Sequence, residues 1–319
     1  MSFVRDDHWV WDFWLADDGA RYHLFYLHAP KALGHPDLRH RNARIGHASS
    51  SNLREWTDHG RIFEAGAEGA FDCTANWTGS VVRGDDGLWR LFYTGSRFLT
   101  PESTANIETV GLATSPDLFT WTKQPGPVCV ADPSLYEVLG TSSWPEEAWR
   151  DPWVFRPPGS TRWHMLITAR AKTGSEPDRG VVGHATSEDL ETWRVEPALS
   201  APGSGFAHLE VFQYLEVEGT GHLVFCCDTA KLTGSRQGER GGIWTLPVGA
   251  FPGPVDPSAA RLLVSEELYA GRVAFDRAGR PMLLAFHNVG TDGVFGGGIS
   301  DPIPLRLAAD GYLMLEQAE

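Results

Sequence analysis

Three stretches of this chain are copies of one another: Gly46-His47-Ala48-Ser49-Ser50, Gly111-Leu112-Ala113-Thr114-Ser115 and Gly183-His184-Ala185-Thr186-Ser187. Each runs on to a leucine and a tryptophan, Leu53 and Trp56, Leu118 and Trp121, Leu190 and Trp193. Such self-similarity constrains a fold more than composition can, because each repeat is one supersecondary unit that buries its apolar face only against its neighbours. A longer pattern surrounds the motif and occurs five times: an apolar segment, a turn with glycine, then a second apolar segment rich in aromatics. The second segments are Tyr22–Leu27, Trp89–Thr94, Trp163–Thr168, His222–Cys227 and Pro281–Phe286. They follow Asp17-Asp18-Gly19, Asp85-Asp86-Gly87, Pro157-Pro158-Gly159, Glu218-Gly219-Thr220-Gly221 and Arg277-Ala278-Gly279. Glycine and aspartate accept the positive φ of tight hairpin turns, so each unit opens with a β-hairpin.

The shared motif adds a third strand, a Ser/Asp-rich turn and a fourth strand beginning at the tryptophan. At this place the fourth unit has a degenerate Gly242-Ile243-Trp244-Thr245 and the fifth has Gly297-Gly298-Ile299-Ser300. Five units of four short strands, roughly 60 residues each, predict an all-β, five-bladed β-propeller. A sandwich does not explain five equal repeats, and the coils of a β-helix are much shorter. No window carries an apolar helical stripe with caps. No low-complexity linker interrupts residues 1–319, which predicts a single propeller domain.

Composition narrows the partners. The formal charge of −14 opposes nucleic acid and anionic membranes, both of which need basic patches. Thirteen tryptophans exceed what a core of this size requires, and indole rings also line sugar-binding pockets. The four cysteines, Cys73, Cys129, Cys226 and Cys227, have neither zinc-site nor disulfide-framework spacing. The start Met-Ser-Phe-Val-Arg-Asp-Asp-His has no basic n-region and no apolar h-region, so the expected location is cytoplasmic. His23, His28, His35, His40 and His47 suggest a metal cluster at first sight. Their spacing fits no ligand pattern, and His47 recurs as His184, so the expectation is no metal and no cofactor.

The first segment of each unit should be the innermost strand, lining the channel: Trp9–Leu15, Thr78–Arg83, Trp153–Phe155, Leu209–Val217 and Gly271–Phe275. Chain direction is the same in every blade, so the starts of these strands gather at one mouth. Asp12 lies between Trp11 and Phe13, Asp151 follows Arg150, and Glu210 follows His208 and Leu209. Any one of these carboxylates could cap a turn. Three at matching places in different blades point to chemistry, since an unpaired buried charge is costly. Glycoside cleavage uses two carboxyl groups flanking the scissile bond. An arginine beside a carboxylate should keep it ionised, as Arg150 would for Asp151. A glutamate among apolar neighbours should have a raised pKa, suiting a proton donor. His208, by strand alternation, can face the same pocket. The loop Lys31–Asn42, which carries basic residues and histidines, reads as ordinary surface, with contact to the leaving group or acceptor at the mouth as the alternative, and whether it contacts substrate stays open.

The motifs resemble those of the β-fructofuranosidase and levansucrase enzymes, glycoside hydrolase families 32 and 68. Val10-Trp11-Asp12-Phe13-Trp14 resembles the nucleophile motif of family 68. Phe71-Asp72 with Trp77-Thr78-Gly79-Ser80 is similar to an aromatic-Ser-Gly-Ser motif shared by both families, and Trp149-Arg150-Asp151-Pro152 to their Arg-Asp-Pro motif. Glu210 occupies the place of the acid/base glutamate, and Leu268-Tyr269-Ala270 resembles a late aromatic-Tyr-Ala motif. Departures exist: Val211-Phe212 replaces the Cys-Pro usual after the family 32 glutamate, Thr78 replaces a serine, and the fifth unit ends near Leu315 without the C-terminal β-sandwich of family 32. The resemblance implies a retaining enzyme acting on sucrose or fructo-oligosaccharides. Asp12 would be the nucleophile, Glu210 the acid/base and Asp151 a binder of fructosyl hydroxyls. Trp11, Trp77, Ser80, Arg150, His208 and Tyr269 would shape the donor pocket. Whether the fructosyl group passes to water or to a sugar stays open, as does the oligomeric state. The alternatives are an inverting arabinofuranosidase or xylosidase of the family 43 type, and a propeller that only binds carbohydrate.

Overall fold

A computed structural model describes residues 3–249, 251–289 and 293–316. It contains five four-stranded antiparallel sheets, each built from consecutive strands. The first comprises β1 (His8–Asp17), β2 (Tyr22–Pro30), β3 (Arg44–Ser50) and β4 (Thr57–Arg61). The second comprises β5 (Ala75–Arg83), β6 (Trp89–Phe98), β7 (Asn106–Ser115) and β8 (Thr122–Lys123). The third holds β9 (Trp149–Phe155), β10 (Trp163–Arg170), β11 (Gly180–Ser187) and β12 (Arg194–Glu196). The fourth holds β13 (Glu210–Val217), β14 (Thr220–Cys227), β15 (Gly242–Val248) and β16 (Arg261–Ser265). The fifth holds β17 (Leu268–Phe275), β18 (Pro281–His287), β19 (Ile303–Leu307) and β20 (Leu313–Leu315). This is the five-bladed propeller the repeats predict. No helix among the described residues is long and apolar enough to cross a membrane.

The repeated motif has a local physical cause. In two copies the serine hydroxyl accepts the leucine N–H, Ser115 from Leu118 at 2.8 Å and Ser187 from Leu190 at 2.9 Å. Asn52, Asp117 and Asp189 take the N–H groups of the next two positions beyond the leucine. The turn holds Leu53, Leu118 and Leu190 at φ of 63°, 68° and 66°, a strained region for a leucine. Each is buried, which offsets that strain. The motif glycines Gly46 and Gly111 lie against the rings of Tyr26 and Tyr93, where a Cβ would sit 2.3 and 2.6 Å from ring carbons.

The fifth unit is less regular than the others. Its regular third strand, β19, starts at Ile303, just after Gly297–Ser300, whose Ile299 bridges Phe286 of β18 in antiparallel sense. Gly297 and Gly298 adopt φ of 68° and 81°, and the Gly298 N–H donates to the Val10 carbonyl of the first blade at 2.7 Å. Ile299 exchanges both backbone bonds with Phe3, at 2.9 and 2.8 Å. The run also pairs with β18, the Ser300 N–H donating to the Ala285 carbonyl at 2.8 Å and the His287 N–H to the Gly298 carbonyl at 3.0 Å, so it both holds the third-strand place ahead of β19 and fastens the last blade to the start of the chain. The Tyr22 hydroxyl adds a bond to the Phe275 carbonyl at 2.9 Å on the same seam.

Each innermost strand is bulged where the polar residues fall. The register slips between Val10 and Phe13, Trp77 and Gly79, Arg150 and Trp153, Glu210 and Gln213, and Tyr269 and Arg272. A bulge leaves residues unpaired and re-aims side chains, which is why bulges recur beside active sites. Asp151, Val211 and Ala270 sit within these bulges at positive φ.

Candidate active site

The five bulged strands surround one cavity of about 400 Å³. Asp12, Asp151 and Glu210 all line it, from the first, third and fourth blades. Trp11, Trp77, Arg150, His208 and Tyr269 line it too. Ser80 does not: its buried hydroxyl accepts the Val154 N–H at 2.9 Å, tying the second blade to the third. The bulge at Trp77–Gly79 turns Thr78 toward the channel instead, and its hydroxyl donates to Asp12 Oδ2 at 2.6 Å.

Burial pushes the Asp12 carboxyl up to about 6, against the opposing pull of the Thr78 bond. Asp151 is pushed by burial to about 7. Its Oδ2 accepts from the Thr168 hydroxyl at 3.0 Å and the Val211 N–H at 3.3 Å. Arg150 does not secure the ionised form of Asp151 as its position in the sequence suggests. Its Nε lies 3.7 Å from Asp151, while its hydrogen bonds go to Glu108, Glu146 and Glu210, each at 2.9 Å.

Glu210 corrects a second expectation. Burial favours a high pKa here, but His208, the Arg150 guanidinium and the Tyr269 hydroxyl, at 2.8 Å from Oε2, hold it down at about 2. In space its neighbours are cationic and polar, although in sequence they are apolar.

Other cavity residues were not singled out from sequence. Arg39 and His40 enter from the 3₁₀ segment Pro36–Asn42, so the Lys31–Asn42 loop reaches the mouth, as the alternative reading of it expects. The Trp77 indole N–H anchors it on the His40 carbonyl at 2.7 Å. Trp144, Glu146, Asp228 and Lys231 come from loops before β9 and after β14. The signal for Arg39 and His40 was the basic run Leu38-Arg39-His40-Arg41 directly after the first hairpin.

His208, Glu210 and Asp228 bring ligand atoms within 4.8 Å of one another, close enough to hold a cation. The chemistry does not fit. Arg150 Nη2 donates to His208 Nδ1 at 3.2 Å, which leaves the ring proton on Nε2 and no lone pair facing the carboxylates. Elsewhere, His23 Nδ1 shares a hydrogen bond with His47 Nε2 at 2.9 Å, and the same pair recurs as His164 and His184 at 3.0 Å. In each pair the two histidines are diagonal neighbours on adjacent strands, His23 opposite Ser49 and His47 opposite Phe25, and the arrangement repeats between blades.

No curated protein sequence matches this chain. Among solved structures, an inulosucrase from Halalkalicoccus jeotgali bound to kestose superposes with a TM-score of 0.82 at 22% identity, over 98% of this chain and 87% of that one. A family 32 β-fructofuranosidase of Bombyx mori gives 0.74 at 20% identity, over 100% of this chain and 64% of that one. A levansucrase variant from B. megaterium gives 0.74 at 13% identity, over 98% and 85%. At these identities the likeness establishes the fold. The sequence itself matches the family model described as the glycosyl hydrolases family 32 N-terminal domain over residues 15–292, a span that begins just beyond Asp12 and includes Asp151, Glu210 and Tyr269. With that match over most of its length, the chain belongs to glycosyl hydrolases family 32 and is a glycoside hydrolase of the β-fructofuranosidase type.

Proposed function

We propose that the protein cleaves β-fructofuranosyl linkages in sucrose or short fructo-oligosaccharides by a retaining mechanism. The observation that carries this reading is the meeting of Asp12, Asp151 and Glu210, from three blades, in one cavity with unlike electrostatic surroundings. Substrates bound by structural neighbours, kestose in the inulosucrase and sucrose in a Bombyx mori β-fructofuranosidase variant, support the substrate class.

Asp12 is the nucleophile. At about 6 its carboxyl is mostly ionised at neutral pH, and the Thr78 hydroxyl fixes one oxygen, leaving the other to attack the anomeric carbon. The bond from that carbon to the leaving oxygen breaks as the bond to Asp12 forms, giving a fructosyl-enzyme. Glu210 gives the leaving oxygen a proton, then as carboxylate takes one from the incoming water or sugar hydroxyl. His208, Arg150 and Tyr269 hold Glu210 in the carboxylate form, ready for that second step. The first step needs the protonated form, so a bound sugar must weaken the hold of Arg150 and Tyr269. Asp151 presents its remaining oxygen to fructosyl hydroxyls, while Trp11 and Trp77 offer apolar walls.

Incubation with sucrose, an inulin-type oligosaccharide and an aryl arabinofuranoside tests the substrate, with product identification separating hydrolysis from transfer. Free fructose or fructosylated acceptors are expected; release from the arabinofuranoside alone would move the protein to the inverting alternative. Asp12→Asn should abolish turnover while leaving the thermal melt unchanged. Retained turnover would assign the nucleophile elsewhere.

A further inference from the structure

We propose that Arg39 is a specificity-determining residue whose Nε, without a partner among the described residues, forms with the adjacent Nη2 an edge that clasps a pair of hydroxyls on the fructosyl unit of the substrate. The proposal rests on the β-fructofuranoside reading of the cavity.

Arg39 lines that cavity although it belongs to a loop and not to a propeller strand. Its side chain is only 11% exposed, and its guanidinium lies 4.0 Å over the Phe295 ring and 5.7 Å from that of Trp11. Stacking of this kind fixes the plane of the fork. Nη1 is engaged by the Pro36 carbonyl at 3.0 Å. The carboxylate near it, Asp37 at 3.6 Å, is itself open to water. Nε is buried without a hydrogen-bond partner among the described residues. A buried charged donor with no acceptor is costly, and proteins retain such groups where a ligand supplies the acceptor.

The loop is held firmly enough to keep that edge in place. Trp77 grips the His40 carbonyl, Arg41 reaches the Thr100 carbonyl at 2.7 Å, and Asn42 donates back to the Leu38 carbonyl at 2.8 Å. Arg39 is among the charges that bear on Asp12, whereas His208 and Arg150 dominate at Glu210. Its guanidinium lies 5.7 Å from the ring of Trp11, the residue that precedes Asp12 on β1, so the fork stands on the side of the nucleophile, where the fructosyl unit sits. Two parallel N–H donors fit an anionic group or two neighbouring oxygens. Five carboxyl groups line the same cavity and would repel an anion, which leaves a hydroxyl pair.

The test couples the residue to the substrate. The wild type, Arg39→Met and Arg39→Lys are assayed with sucrose and with analogues lacking the fructosyl 1-, 3-, 4- or 6-hydroxyl. On sucrose, Arg39→Met should lower kcat/KM by about 100-fold, the worth of two charge-assisted hydrogen bonds. Arg39→Lys should lose at least about 10-fold, because a point charge cannot present the fork. At least one deoxy analogue should be a poor substrate for the wild type yet no worse than sucrose for Arg39→Met, which a structural role for the loop would not produce. If Arg39→Met stays within about threefold of wild type on sucrose, or if every analogue suffers equally in both enzymes, the clasp is refuted. The analogue profile of the wild type and the lysine variant decide the question even if the methionine variant misfolds. A wild type inactive on every fructoside would instead overturn the substrate reading beneath it.

Discussion

Replacing Thr78 by valine removes one hydrogen bond from Asp12 while nearly preserving shape. That bond is short, 2.6 Å, lies in a buried setting, and favours the carboxylate. A hydrogen bond to a charged group contributes about 1.5–3 kcal/mol, and one pKa unit corresponds to about 1.4 kcal/mol. Losing it should carry Asp12 from about 6 to roughly 7–8. The nucleophile must be ionised, so its competent fraction is lost as pH falls through its pKa, and a raised pKa moves that loss to higher pH. The assay is kcat/KM for sucrose across pH 4.5 to 9.5, taken as the ratio of the two enzymes so that the titration of Glu210, common to both, cancels. Relative to wild type, Thr78→Val should be about 5- to 50-fold slower at pH 6 and within about twofold at pH 9. A ratio that does not change with pH would refute both the role of the hydroxyl and the requirement for ionised Asp12.

Tyr269→Phe removes the 2.8 Å bond to Glu210 and should raise that carboxyl from about 2. Proton donation needs the protonated form, and because Glu210 lies below Asp12 its pKa sets the acid limb of kcat/KM, so that limb should move upward; a limb that stays in place or moves down would contradict the assignment. Arg150→Met strips a buried guanidinium from Glu108, Glu146 and Glu210 and should cost about 3–5 kcal/mol in urea unfolding, with a change under about 1 kcal/mol excluding the network as a stability element. Gly79→Ala would place a Cβ 1.9 Å from the Phe92 carbonyl oxygen, so the β5–β6 pair must shift; a loss above about 3 kcal/mol is expected, and a wild-type melt would show that the bulge is not closely packed.

The blades were legible because they are written in a period longer than any local ambiguity. A single segment such as Trp163–Thr168 cannot be told from a buried helical stretch, but five hairpins at one spacing can. The fifth unit is the least regular, since Gly297-Gly298-Ile299-Ser300 takes the third-strand place beside β18 only through an isolated bridge at Ile299. There Gly298 and Ile299 bond to Val10 and Phe3, and a contact between the two ends of the chain leaves no local trace.

The site was legible through its strands and illegible through its loops and bulges. Asp12, Asp151 and Glu210 lie on innermost strands, so topology alone gathers them. Strict alternation would favour Ser80 together with Thr78, but the extra residue at the bulge gives Thr78 to Asp12 and Ser80 to the Val154 N–H. Arg39 enters from a loop with no period to follow. Glu210 shows the deeper limit. Leu209, Val211 and Phe212 surround it in sequence and imply an apolar site with a raised pKa. In a bulged strand, however, a side chain faces what the other blades present. Here these are Arg150 from β9, Tyr269 from β17 and His208 two residues upstream, a polar set that holds Glu210 ionised. Sequence neighbours predict a pKa only when they are also the neighbours in space, and at the mouth of a propeller they are not.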